Sequence, residues 1–262
     1  MTMLVLLSPA KSLDFGRRVP AAVTRRITEP TFLAQAAGLI DVMRRQSATQ
    51  VAALMDLSPA LAALNVERYA AWQAVAVMPA ARPAVLAFDG DVYGGLDAAT
   101  LKAADLDWAQ AHLVLLSGLY GALRPLDLMQ PHRLEMGTAV KTRHGKDLYA
   151  FWGDTVAAYL NTQLADATRP LVVNLASQEY ARVALRPALA ARVIHCQFED
   201  WKDGRYKVIS FFAKRARGLM ARFVVQKRLR SAAGLKAFDT EGYKFDAASS
   251  EPERLVFRRR LE

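Results

Sequence analysis

A single cysteine, Cys196, is the only thiol in this chain, so an internal disulfide framework is excluded and a reducing compartment is the natural setting. Histidine is scarce too: His112, His132 and His144 lack zinc-type spacing with the cysteine. His195 adjoins Cys196, but neighbours on a strand point to opposite faces, which argues against one shared metal site. No apolar run reaches the roughly 18 residues of a membrane helix. Met1 to Pro9 is apolar without a basic start or a cleavage-like site, so no signal peptide is expected and a cytoplasmic location is. The phosphate-loop pattern GxxxxGK[ST] occurs nowhere, and no linker, repeat or low-complexity stretch divides the chain. With 53% hydrophobic residues among 262, one compact domain over 1–262 with a sizeable core is expected.

Positive charge is present in excess, and it is lopsided. The formal net charge is +10, yet residues 1–181 hold sixteen Lys/Arg against sixteen Asp/Glu. Residues 182–262 hold nineteen against nine, so the whole excess lies in the last third. Clustered cations favour a polyanion partner, nucleic acid before membrane, because phosphate contacts release counterions. The competing explanation is an Arg- and Ala-rich composition with a merely high pI.

Three short apolar runs read as buried strands: Met3–Leu7, Ala84–Phe88 and Leu171–Leu175, with a fourth at Leu113–Leu116. Polar groups follow each of them. Lys11, Ser12 and Asp14 come after the first, Asp89 and Asp91 after the second, and Ser177, Gln178 and Glu179 after the third. Chemistry at strand ends is the organisation of a pocket-bearing mixed sheet with surrounding helices, an α/β (mixed α+β) fold. The fourth run leads into SGLYGALRPLDLMQPHRLEMGT, residues 117–138, where two X-Pro steps restrict the backbone and Arg124, Asp127, His132, Arg133 and Glu135 gather. Asp89-Gly90-Asp91 invites a metal reading, but an EF-hand's remaining ligands are missing and a turn or helix cap explains it better, so no metal is expected.

Helices are expected over 31–78, broken near Ser47 and Ser58-Pro59, with Leu61, Leu64, Arg68 and Trp72 on one side. Others are expected over Leu101–Ala111 and Asp147–Leu164. Val193–Phe198 and Tyr206–Phe212 flank Asp203-Gly204 and predict a hairpin. Ala213–Leu229 is the strongest helix pattern. Its stripe is Ala216, Leu219, Met220, Phe223 and Val224, with Lys214, Arg215, Arg217, Arg222 and Arg228 projecting away and Gly218 allowing close backbone approach. A turn at Gly242–Phe245 and a last strand at Leu255–Phe257 complete the chain.

The sequence resembles the YaaA family of bacterial peroxide-stress proteins. The likeness is carried by LVLLSPAKSLDF (4–15), AFDGDVYGGL (87–96), LSGLYGALRPLDLMQPHRLEMG (116–137), GKDLYAFWGD (145–154), VNLASQEY (173–180), KVISFFAKRARGLMARF (207–223) and EGYKFDAASS (241–250). It implies a single α/β domain of unusual topology with a positively charged cleft, DNA binding, and a role in limiting oxidative DNA damage by lowering available iron. It also implies a helix-hairpin-helix element, for which GLYGALRP, with Gly118 and Gly121, is the candidate.

Two functions of different class stay open. In the first, the protein binds DNA without catalysis. Lys11, Arg124, Arg133, Lys214, Arg215 and Arg217 then neutralise phosphates, and Tyr120, Tyr149 or Trp152 stacks on an exposed base. In the second, it is an enzyme on a small anionic or nucleotide-like substrate, with Lys11, Glu135 and Glu179 as catalytic candidates beside Asp89, Asp91, Ser12 and Ser177. No cofactor is expected in either. Direct iron chelation is a weaker third idea, since the histidines are scattered.

Overall fold

The computed structural model describes residues 3–260. Its spine is an eight-stranded sheet formed by β1 (Met3–Leu7), β2 (Leu113–Ser117), β3 (Gly121–Leu123), β4 (Leu171–Asn174), β5 (Arg192–Lys202), β6 (Arg205–Lys207), β7 (Lys244–Glu251) and β8 (Arg254–Arg259). The strand order is β7-β8-β5-β4-β1-β2-β3, with β6 paired to β5. The five inner strands, β8 to β2, run parallel, and β7, β3 and β6 join antiparallel. Parallel strands bury both faces and so carry continuous apolar runs, which is why MLVLL in β1 and LVLLS in β2 are buried at every position.

β1 is central, with Val5 opposite Leu113 of β2 on one side and Val173 of β4 on the other. The chain leaves β1, returns on one flank as β2 and later on the other as β4. The connections therefore diverge at the C-terminal end of β1, where open α/β sheets leave a crevice.

The helices longer than one turn are α1 (Leu33–Met43), α2 (Ala48–Met55), α3 (Pro59–Ala71), α4 (Asp91–Leu96), α5 (Ala103–His112), α6 (Leu148–Trp152), α7 (Thr155–Gln163), α8 (Gln178–Ala184) and α9 (Ser210–Lys227). The breaks near Ser47 and Ser58 are as expected. Ser47 forms a capping box with Gln50, and Ser58 caps α3 with Pro59 in its first turn. The core face of α3 is Ala62, Asn65 and Tyr69, whereas Leu61 and Leu64 remain 41% and 38% exposed. The helix expected over 147–164 is two, parted at Gly153, whose φ of +47° suits glycine.

Two expectations fail, and a third, the hairpin at Asp203-Gly204, forms with a shorter second arm. Ala84–Phe88 is buried but is a helical turn over 84–87 followed by the short strand Phe88–Asp89, its first amides donating to the Asp127 and Pro125 carbonyls rather than to a strand of the main sheet. Burial alone does not distinguish a strand from a turn of helix. The hairpin around Asp203-Gly204 has a three-residue second arm, and the chain enters α9 at Ser210. GLYGALRP is no helix-hairpin-helix: it is a turn at 118–120 directly after β2, followed by β3.

Candidate phosphate site at the strand ends

At the C-terminal ends of β4, β1 and β2 the structure opens into a cavity of about 390 Å³. Each wall follows from the sheet. Ser8 to Ser12 continue β1, Ser117 and Gly118 end β2, and Ser177 to Tyr180 lead from β4 into α8. Phe88 and Asp89 form the short strand that pairs with Ser12–Leu13, Gly90 to Val92 lead from it into α4, and His132 to Glu135 also line the cavity. Lys214 and Arg217, one turn apart on α9, complete the rim.

The strand ends are tied together. The Ser177 amide donates to Ser8 Oγ (2.8 Å), the Ser8 hydroxyl donates to Ser177 Oγ (3.3 Å), and the Tyr93 hydroxyl donates to the Ser8 carbonyl (3.0 Å). Burial raises the Tyr93 and Tyr180 phenols well above their usual range, so both are neutral hydroxyls. Glu135 is clamped by Lys11 Nζ at 2.8 Å and by Arg133 Nη2 at 2.8 Å. Burial opposes its ionisation, but the hydrogen bonds and charges of Lys11 and Arg133 win and hold the carboxyl below its usual value. Glu179 accepts the Gly137 amide at 2.9 Å.

Lys11, Arg133 and Glu135 therefore neutralise much of one another. Arg217 differs. It is half-buried in the cavity wall, and among the described residues no carboxylate lies within ion-pair distance. Its charged neighbour in principle is Cys196, but burial pushes that thiol up to about 12 and keeps it neutral. Desolvation lowers the Arg217 guanidinium from its ordinary value. A largely desolvated cation without a counter-charge, aimed into a cavity, is set for an anion. Lys214 beside it is exposed and also lacks an acidic partner among the described residues.

His132 is buried, and its Nδ1 lies 2.8 Å from the Gln130 carbonyl, which fixes the proton there and leaves Nε2 as an acceptor. Burial, with Arg68 nearby, pushes its pKa down to about 4. Unfolded chains protonate the same ring near 6.5. As pH falls from 6.5 to 4 the unfolded state takes up a proton that the native state refuses, so stability is lost across that window. The full effect is about 3 kcal/mol, and thermal melts of wild type and His132→Gln should diverge in slope between those pH values. Parallel slopes would mean the ring is solvated.

The sequence model of the family described as "Peroxide stress protein YaaA" matches residues 3–249. The chain belongs to the YaaA family. It is 60% identical over 257 residues to a UPF0246 protein of Leptothrix cholodnii, covering 98% of each chain. It is 56% identical over 260 residues to one of Bordetella avium, covering 99% of this chain and all of that one. A UPF0246 protein of Bordetella petrii is 58% identical over 258 residues, covering 98% of this chain. The structure is thus that of a YaaA-type α+β domain with a central mixed sheet.

Within this YaaA domain the expected site residues divide. Lys11, Ser12, Asp89, Asp91, Arg133, Glu135, Ser177, Glu179, Lys214 and Arg217 share the cavity, with Gly118 on its wall. Arg124 does not: it binds the buried Asp127 at 3.0 Å and the Glu29 carbonyl. Arg215 points elsewhere and pairs with Glu241. Tyr120 and Trp152 are fully buried and offer no ring face to a base. The Tyr120 hydroxyl accepts from Trp72 Nε1 at 2.8 Å, and Trp152 covers Gly121. Tyr149 donates to the Glu179 carbonyl, and Arg182 already lies over its ring at 4.2 Å.

Much of the basic tail is also committed. Arg259 binds Asp200 (2.6 Å), and Arg258 binds Glu199 and Asp246. Sequence reasoning missed Ser8 as a site group, although, directly after a buried strand, it carried the same signal as Lys11. Among the described residues no three His, Cys, Asp or Glu side chains are grouped to hold a metal, and no helix is long and apolar enough to cross a membrane.

Proposed function

We propose that this chain binds phosphate groups in the strand-end cavity, and that in peroxide stress it does so on DNA, limiting oxidative damage. The lowering of available iron is then an indirect consequence. The observation that carries this reading is Arg217, a desolvated cation in a cavity wall with no acidic partner among the described residues. Lys214 adds a second free charge on the same face of α9. A backbone phosphate, or the phosphate of one nucleotide drawn into the recess, supplies the missing counter-charge.

A second reading has its own support. Lys11, Glu135 and Glu179 converge in a recess rather than along a ridge, while Arg124 and Arg215 lie off it. A recess of this volume suits a free nucleotide-like substrate as well as a nucleotide within a strand. Binding of single-stranded, duplex and branched DNA, and of free mononucleotides, at about 50 and 200 mM salt separates them. Affinity for DNA that falls steeply with salt, lost in Arg217→Met and only trimmed in Lys11→Ala, supports the DNA reading. Salt-insensitive DNA binding defeats it. Turnover of a bound nucleotide, abolished in Lys11→Ala, makes the second reading the right one.

A further inference from the structure

The segment that supplies Glu135 to the first cavity runs on to Thr142–His144, which wall a second hollow of about 700 Å³ against α1 and the α6–α7 turn. The two cavities share no lining residue. Three observations set the second one apart from an ordinary surface groove. Gly38 stands in the middle of α1 with ordinary helical backbone, yet a Cβ added there meets nothing within 4 Å. Neither packing nor backbone geometry calls for a glycine in that helix, where every residue but proline has the higher propensity. What its absent side chain does is keep the floor of the hollow open.

The walls are cationic. Arg45 and Arg143 both line the hollow, and neither meets a carboxylate among the described residues; Asp41, the acid in the wall, faces Arg44 at 3.6 Å. Arg143 Nε donates to His144 Nε2 at 3.0 Å, which orients the guanidinium and leaves its terminal nitrogens to a ligand. The third wall is aromatic, with His144 set edge-on to Phe151 at 5.4 Å and 87°. Gln35 and Thr155 add neutral hydrogen-bonding groups.

The geometry points to a second ligand site, for a planar ring that bears a phosphate, of the mononucleotide class. The phosphate takes the two arginines and the ring lies along Phe151. The site is independent of the phosphate reading of the first cavity, and the test keeps them apart. The full-length protein is photolabelled with 8-azido-AMP and the labelled peptide is mapped by mass. Label is expected within residues 142–155, protected by AMP but not by adenosine. Gly38→Leu fills the hollow and should cut that label at least tenfold with a melting temperature no lower than wild type. Arg143→Ala, an exposed position, should cut it similarly, whereas Arg217→Met should leave it intact. Label absent from 142–155, or undiminished by both Gly38→Leu and Arg143→Ala, overturns the proposal. So does protection by adenosine equal to that by AMP. Label lost only in Arg217→Met assigns the nucleotide to the first cavity and likewise overturns it.

Discussion

Arg217→Met should weaken phosphate and DNA binding by roughly ten- to a hundredfold, the range of one charge-assisted hydrogen-bond group, while leaving the protein as stable as before or more so. The two halves of that expectation have one cause. In the unliganded fold the guanidinium is drawn out of water without a carboxylate to repay it, so its charge works against folding. Methionine keeps an unbranched apolar stem and removes the charge. An ordinary structural arginine behaves oppositely: Arg259, held between Asp200 and Glu241, should destabilise the fold when replaced and leave ligand affinity alone. Melting temperature and a phosphate or oligonucleotide titration on the same two variants decide the matter. If Arg217→Met melts several degrees lower with unchanged affinity, the residue belongs to the scaffold and the cavity loses its main attraction for an anion.

The contrast between these two arginines marks where sequence reading succeeds and where it stops. The inner strands were legible because parallel strands buried on both faces leave unbroken runs such as Met3–Leu7 and Leu171–Val173. Once those runs are parallel neighbours, the polar residues after each meet at one edge, so strand ends pointed to Ser177 and Glu179, and to Lys11 together with the family resemblance. Ala84–Phe88 misled because a fully buried turn of helix carries the same unbroken apolar run as a buried strand; its Ala84 amide reaches the Asp127 carbonyl and Val85 that of Pro125. The cations of α9 could not be sorted by helical spacing. Lys214, Arg215 and Arg217 all lie off the apolar stripe, and only the fold decides which two overlook the cavity and which one meets Glu241, 26 residues away. Likewise Tyr120 reads as a stacking residue beside two glycines until Trp72, 48 positions upstream, is seen to claim its hydroxyl.

Gly218→Ala should be among the most damaging single methyl additions to this chain, at about 3 kcal/mol, because its methyl has nowhere to go. α9 crosses α4 backbone to backbone. A Cβ built on Gly218 stands 1.8 Å from the Val92 carbonyl oxygen, and one on Gly95 stands 2.3 Å from the Arg215 carbonyl oxygen. Both obstacles are main-chain atoms of helices, so neither can swing aside as a side chain would; the helices must part. The close approach expected of Gly218 is therefore present, and its partner is α4. For a domain of this size each kcal/mol lowers the melting temperature by roughly 2–4 °C, so a fall of about 6–12 °C is expected. Binding should suffer as well, since α9 carries Lys214 and Arg217 to the rim and α4 follows directly on Asp89 and Gly90 in the opposite wall. Gly38→Ala is the control. It adds the same methyl in a helix of similar standing but into open space, and should raise stability by about 1 kcal/mol through helix propensity alone. Equal melting temperatures for the two variants would refute the crossing as the reason glycine stands at 218, because propensity is the one effect they share.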